Sequence, residues 1–173
     1  MFKHKRGLYL GRFQPVHNGH VYAVNYILKE CEELIIAVMA SQYSFTFENP
    51  FTAGERIEML RLTFKNQWHR LFVIPILNIP FNSPWIHYIR NLAPDFEVIY
   101  SNHYLVKLLA EKEGFEVKDI PYKQRNILKA TQIREMMAKG DREWENFVPE
   151  EVVNYIKKIN GVYRLKTILE RRD

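Results

Sequence analysis

Cysteine is nearly absent from this chain: Cys31 is the only one among 173 residues. No intrachain disulfide can form, and a thiolate cage for zinc is excluded. Long apolar runs are missing as well. Nothing approaches the roughly 18 consecutive apolar residues that span a bilayer. The apolar stretch within the basic start MFKHKRGLYL is too short for a signal peptide. The expectation is a cytoplasmic protein with no membrane partner. Internal repeats, low-complexity tracts and linker-like segments are also lacking. A chain of this length can bury a sizeable core, so a single domain over residues 1–173 is expected.

What is present is a modest positive balance. Lysine and arginine number 25 against 20 acidic residues, a net charge of +5. That suits an anionic partner, either a phosphorylated small molecule or a nucleic acid. The basic residues are dispersed and no RNA- or DNA-binding motif accompanies them, so no nucleic-acid partner is expected.

Apolar, β-rich runs recur as GLYL (7–10), ELIIAVMA (33–40), RLFVIPIL (70–77), FEVIYS (96–101) and FEVKDI (115–120). Stretches of helical spacing separate them. Val21, Val24, Ile27 and Leu28 share one face; so do Ile57, Leu60 and Phe64, then Ile86, Ile89 and Leu92, then Leu105, Leu108 and Leu109. The last third carries helical patterns at 132–139 and 150–159, followed by a short tail. Alternating strands and helices predict an α/β fold. It is a doubly wound parallel sheet with helices on both faces and a helical C-terminal cap. Ligands in such sheets sit beyond the carboxyl ends of the strands, where the strand order switches.

The stretch GRFQPVHNGH, residues 11–20, lies at such an end. Gly11 closes the first strand, Pro15 fixes a turn, and Asn18 is the expected N-cap of the following helix. The unpaired N–H groups of that helix terminus favour an anion, and Gly19 lets a phosphate approach the backbone. His17 and His20, three residues apart, can face the same anion. A zinc site would need a third ligand, and no HExxH or cysteine pair supplies one; a nucleophilic histidine would not need the glycines.

This order of residues resembles the GxFxPxHxGH signature of the nucleotidylyltransferase superfamily. The resemblance implies a Rossmann-like fold and transfer of a nucleotide to a phosphate or hydroxyl acceptor, with release of pyrophosphate. It also implies that His17 and His20 contact the nucleotide phosphates, while Gly11, Gly19 and the backbone of Arg12 and Phe13 lie along the nucleotide. KATQIREMMAKG (129–140) resembles the family's second signature. Read alone, Thr131 is an N-cap, Ile133, Met136 and Met137 form a buried stripe, and Gly140 ends the helix. The resemblance adds that Lys129, Thr131 and Arg134 hold the triphosphate of ATP.

Thr52 and Glu55 have capping-box spacing, which alone accounts for both. Yet ENPFTAGER and the distal VPEEVVNYIKKINGVYRL resemble the archaeal type of nicotinamide mononucleotide adenylyltransferase, across roughly residues 7–169. By itself Trp85 in NIPFNSPWI is as readily a core residue. The resemblance implies instead that Trp85 stacks on the nicotinamide ring, Asn82 reads the carboxamide and the backbone of Ile79 joins it. It further implies ATP with Mg²⁺, nicotinamide mononucleotide as acceptor, and a homo-oligomer, by family a hexamer. No protein metal site is expected. Departures from the family pattern fall at Asn78, Phe45, Lys129, Ala130 and in SNHY (101–104). They leave open a sister enzyme of the FAD- or dephospho-CoA-forming type and a catalytically drifted nucleotide sensor.

Overall fold

Five parallel strands form one sheet in the order β3-β2-β1-β4-β5: β1 (His4–Gly11), β2 (Cys31–Val38), β3 (Leu71–Pro75), β4 (Val98–Tyr100) and β5 (Glu116–Lys118). The structure, a computed structural model, describes residues 2–80, 85–121 and 129–171. Helices α1 (Asn18–Glu30), α2 (Ala53–Thr63), α3 (Trp85–Leu92) and α4 (Tyr104–Lys112) lie between successive strands. Helices α5 (Ala130–Lys139), α6 (Glu150–Lys158) and α7 (Gly161–Glu170) follow the last strand as the helical cap. None of the described helices is long and apolar enough to cross a membrane.

Both faces of the sheet are covered, which is why β2 is apolar at almost every position. Leu34, Ile36 and Val38 point into a core shared with α1, α2 and the cap. Ile35 and Ala37 point the other way, joining Leu8, Ile99 and the Ile86 and Ile89 stripe of α3. Each of the buried Leu, Ile and Val side chains contributes about 1.5–3 kcal/mol of burial. Gly7 is needed where α1 meets the sheet. A Cβ there would sit 3.0 Å from Cys31 Sγ and 3.1 Å from the Tyr100 ring. Burial raises the pKa of the Cys31 thiol.

The expected elements are present, and their differences from the sequence reading have local causes. Strand β1 starts three residues earlier than GLYL, at His4, because residues 4 and 6 find partners in β2 at Cys31 and Glu33. Leu105 and Leu108 of α4 are exposed rather than buried; this helix packs at the sheet's end through Ala110, Val106 and Leu109. The expected short tail is helix α7. Asn160, at φ 55°, reverses the chain, and Gly161 lets α7 close on α6 and on Phe51. A Cβ at Gly161 would lie 2.8 Å from the Phe51 ring and 3.0 Å from Ile156 Cγ2. Arg164 then holds α7 against α2, donating to both carboxylate oxygens of Glu55 at 2.7 and 2.8 Å. Glu55 also completes the expected capping box with Thr52. Gly140 ends α5 in the left-handed region as expected.

The strand order reverses between β1 and β4. The two loops leaving their carboxyl ends, after Gly11 and after Tyr100, diverge to opposite sides and open the crevice in which the candidate site lies.

Candidate active site

The loop after β1 is held from three directions. Gly11 has no Cβ because the Phe13 ring folds back over it; a Cβ would lie 2.8 Å from that ring. Phe13 is buried and takes a left-handed φ of 52°, a conformation that surrounding bonds must enforce. Gln14, fully buried, pairs its side-chain amide with the backbone of Phe51, donating at 2.9 Å and accepting at 3.0 Å. Arg56 is also fully buried, and its guanidinium donates to the carbonyls of Arg12 (2.9 Å), Met39 (2.7 Å), Ala40 (3.2 Å) and Thr52 (3.2 Å). Arg134 of α5 donates to the Gln14 carbonyl at 2.9 Å from the opposite side. Gln14 and Arg56 stand inside the runs GRFQPVHNGH and ENPFTAGER but received no role of their own, because polar side chains bonded to main chain leave no periodic trace.

His17, not Asn18, is the N-cap of α1. Its Nδ1 accepts the Gly19 N–H at 3.1 Å, and His20 Nδ1 accepts the His17 N–H at 3.2 Å. Two imidazoles thus form a reciprocal capping box. Asn18 is used elsewhere, donating from Nδ2 to the Asn146 carbonyl at 3.1 Å. The capping bonds decide the chemistry of the rings. With Nδ1 an acceptor in each, the proton of each neutral imidazole sits on Nε2. The rings stack with centroids 3.8 Å apart, and Phe13 lies 4.6 Å from His20. Burial lowers the pKa of His17 to about 4, and burial together with His17 holds His20 well below its ordinary value. At neutral pH the pair is therefore two uncharged Nε2–H donors, able to follow a phosphoryl group without repelling each other.

Two cavities flank the ends of β1 and β4. The first, about 440 Å³, is lined by His17, Gly19, His20 and Lys129 together with Ser101 and His103. The second, about 400 Å³, is lined by Gly11, Arg12, Asn78 and Trp85, again with Ser101 and His103. Among the described residues no carboxylate lines either cavity, and no cluster of histidine, cysteine and acidic residues could hold a metal ion. Among the described residues the walls hold no anionic partner for the cations Lys129 and Arg12, which face these spaces. Both cavities are therefore receptive to phosphate.

The expected site residues divide between these spaces. His17, Gly19, His20 and Lys129 meet in the first; Gly11, Arg12 and Trp85 meet in the second. Trp85 also packs on the α3 core. Phe13 offers only backbone, its ring being buried. Thr131 is not a cap: α5 starts at Ala130 with Lys129 as N-cap, and Thr131 accepts from Arg134 Nη2 at 3.3 Å. Arg134 is buried behind Thr131, where it secures the loop, and does not line the first cavity. Ile79 is half-buried after β3 and lines neither cavity, while Asn82 lies outside the described residues. Phe45 is exposed at φ 58° with the Arg164 guanidinium 4.8 Å from its ring.

The depressed histidines make stability fall in acid. Unfolded, each imidazole titrates near its ordinary value of about 6.5. Folded, His17 does so only near about 4. The unfolded chain therefore binds more protons between these values, and stability declines as pH falls through that window. The melting temperature is expected to drop between about pH 7 and pH 5, and to drop less in His17→Asn, which keeps a capping oxygen. Equal acid sensitivity in the two proteins would refute the neutral-pair assignment.

A family model described as cytidylyltransferase-like matches residues 8–136 of the chain. A nicotinamide-nucleotide adenylyltransferase of Pyrobaculum aerophilum is 44% identical over 165 residues, covering 94% of this chain and 93% of that protein. One from Pyrococcus furiosus is 40% identical over 168 residues, covering 95% and 89%. Among solved structures, the chain resembles a bifunctional NMN adenylyltransferase/ADP ribose pyrophosphatase from Francisella tularensis, complexed with AMP and a manganese ion. The TM-score is 0.77 at 16% identity over 96% of this chain, a likeness of fold. The chain spans about half, 52%, of that longer protein.

Proposed function

The chain belongs to the cytidylyltransferase-like family and, within it, to the nicotinamide-nucleotide adenylyltransferases, and from that premise we propose that its two cavities receive the two substrates of one adenylyl transfer. The reaction joins ATP and nicotinamide mononucleotide into NAD. An oxygen of the acceptor's 5′-phosphate bonds to the α-phosphorus of ATP, the bond from that phosphorus to the bridging oxygen breaks, and pyrophosphate leaves with the electron pair. No covalent enzyme intermediate is required. Positioning and stabilisation of the charge that builds on phosphoryl oxygens make up the chemistry.

In this reading ATP occupies the first cavity. The Nε2–H groups of His17 and His20 donate to the transferring phosphate, Gly19 lets it approach the helix terminus, and Lys129 neutralises the triphosphate. Thr131 orients the pyrophosphate end, and Arg134 acts on it by holding Thr131 and Gln14. Mg²⁺ arrives with ATP as part of the substrate and shields the triphosphate. Nicotinamide mononucleotide occupies the second cavity, its ring on Trp85 and its phosphate toward Arg12. Asn82 and the backbone of Ile79 keep the carboxamide role that the family resemblance implies. The protein works in the cytoplasm as a homo-oligomer, a hexamer by family likeness.

The observation that carries this reading is the wall that the two cavities share at the strand-order switch, with phosphate donors on one side and an indole on the other. Trp85→Ala tests it. A cationic ring over an indole face is worth about 1–2 kcal/mol, so KM for nicotinamide mononucleotide should rise roughly tenfold with KM for ATP nearly unchanged. Titrating each substrate against the folded variant checks this. Were Trp85 only a core residue, the variant would melt earlier and lose affinity for neither substrate selectively.

A further inference from the structure

A phosphate in one cavity can attack a phosphate in the other only where the two spaces meet. The residues that line both are Leu10, Ser101 and His103, and these form the wall the two spaces share. Leu10 is apolar. The Ser101 hydroxyl is already engaged, accepting the His103 N–H at 3.1 Å, and the residue is buried. His103 differs from both. It is exposed, it is the N-cap of α4 yet makes no capping bond with its side chain, and among the described residues its imidazole has no hydrogen bond or ion pair.

The backbone beneath it is fixed all the same. Asn102 donates to the Ile120 carbonyl at 2.7 Å and accepts the Ile120 N–H at 2.9 Å, which ties the turn after β4 to the end of β5. Together with the Ser101 bond, this fixes where residue 103 leaves the sheet. The chain thus spends two side chains to set the turn and leaves a third, carrying a ring N–H, at the mouth of both cavities. His17 and His20 approach from the loop after β1. His103 approaches from the loop after β4, on the other side of the switch.

We propose that His103 is a further catalytic residue, donating a hydrogen bond to the acceptor's 5′-phosphate where it meets the α-phosphate of ATP. It holds the attacking oxygen at the junction while the paired histidines hold the group under attack. The assignment rests on the two-cavity reading given above. A donor to a phosphate is favoured over a ring-stacking role because both substrates must bring their phosphates, not their bases, to the shared wall.

The test is steady-state formation of NAD from ATP and nicotinamide mononucleotide by the full chain carrying His103→Ala, His103→Gln or, as a neighbouring control, Tyr104→Ala. Tyr104 is 76% exposed and lines neither cavity. His103→Ala should lower kcat/KM for the acceptor roughly tenfold, the worth of one hydrogen bond to a charged group. KM for ATP and the melting temperature should stay near those of the parent. His103→Gln, which keeps an N–H donor, should recover part of the loss, and Tyr104→Ala should lose less than about twofold. Parent-like kinetics in His103→Ala would overturn the proposal and leave the two-cavity reading standing. So would a loss that appears equally for ATP, or that glutamine fails to relieve. A parent protein that forms no NAD at all would overturn the functional reading itself, and the role of His103 with it.

Discussion

Replacement of His20 by alanine should lower kcat by about 10²–10³ while changing KM for ATP little, the loss expected when one preorganised transition-state donor is removed. The reason lies in the tautomer. Nδ1 of His20 is committed to the His17 N–H, so its Nε2–H is aimed outward before any substrate arrives and needs no reorganisation as charge develops. The same bond gives the alanine variant a second defect, the loss of half a capping box, worth roughly 1 kcal/mol. His20→Glu separates the two. Glutamate at this helix position can accept the His17 N–H but carries no donor, so the melting temperature should return toward that of the parent while kcat stays low. A glutamate variant with full turnover would mean that His20 serves the helix and not the phosphate.

The other large effect should appear at Arg56, where stability rather than chemistry is lost first. Burial and the nearby charge of Arg12 lower its pKa to about 10, so it is still a cation at neutral pH, surrounded by carbonyl oxygens. Arg56→Met fills the space but leaves the carbonyls of Arg12, Met39 and Ala40 without this donor. The Thr52 carbonyl keeps the backbone N–H of residue 56 at 3.1 Å. The Ala40 carbonyl likewise keeps the Tyr43 N–H at 3.2 Å. Orphaning the other two acceptors, offset by no longer burying a charge, should cost about 2–4 kcal/mol. For a chain of this size that is roughly 10 °C in melting temperature. Arg56→Lys should recover less than half, because an ammonium cannot span carbonyls from two separate loops as the planar fork does. Calorimetry on the three proteins decides the matter. A methionine variant melting within about 2 °C of the parent would show that water satisfies these carbonyls instead. Activity should fall with stability, since the same carbonyls belong to the loops that carry Arg12 and lead away from Met39.

These two residues also mark where the sequence could be read and where it could not. His20 stood in a run whose order of glycine, proline and histidine has a chemical meaning by itself. The strands were legible because burial on both faces writes itself as unbroken apolar runs such as ELIIAV. Arg56 stood in the run ENPFTAGER with no role of its own. Pattern reading assigns an arginine on a helix to solvent, and only the convergence of loops from β1 and β2 reverses that. The N-cap of α1 was misread for a related reason. Asparagine is the better intrinsic cap, but tertiary structure spends Asn18 on Asn146 and gives the cap to His17. Helix α7 was hidden by Asn-Gly at 160–161, a strong stop signal. Here the glycine is required by the approach of Phe51, a contact that lies more than a hundred residues away in the chain. Leu105 and Leu108 failed in the opposite sense: the spacing of a buried stripe was present, but no element lies over it among the described residues.

The thiol tucked under Gly7 has a practical side. Cys31 is fully buried, and its raised pKa keeps it in the unreactive protonated form, so maleimides and other thiol reagents should pass it by. The chain is thus already a clean background for attaching a dye or spin label: a cysteine introduced at an exposed position such as Tyr104 is the sole addressable one, with no native residue to delete. A probe there stands beside the crevice mouth and can report the arrival of each nucleotide in real time, separately from turnover.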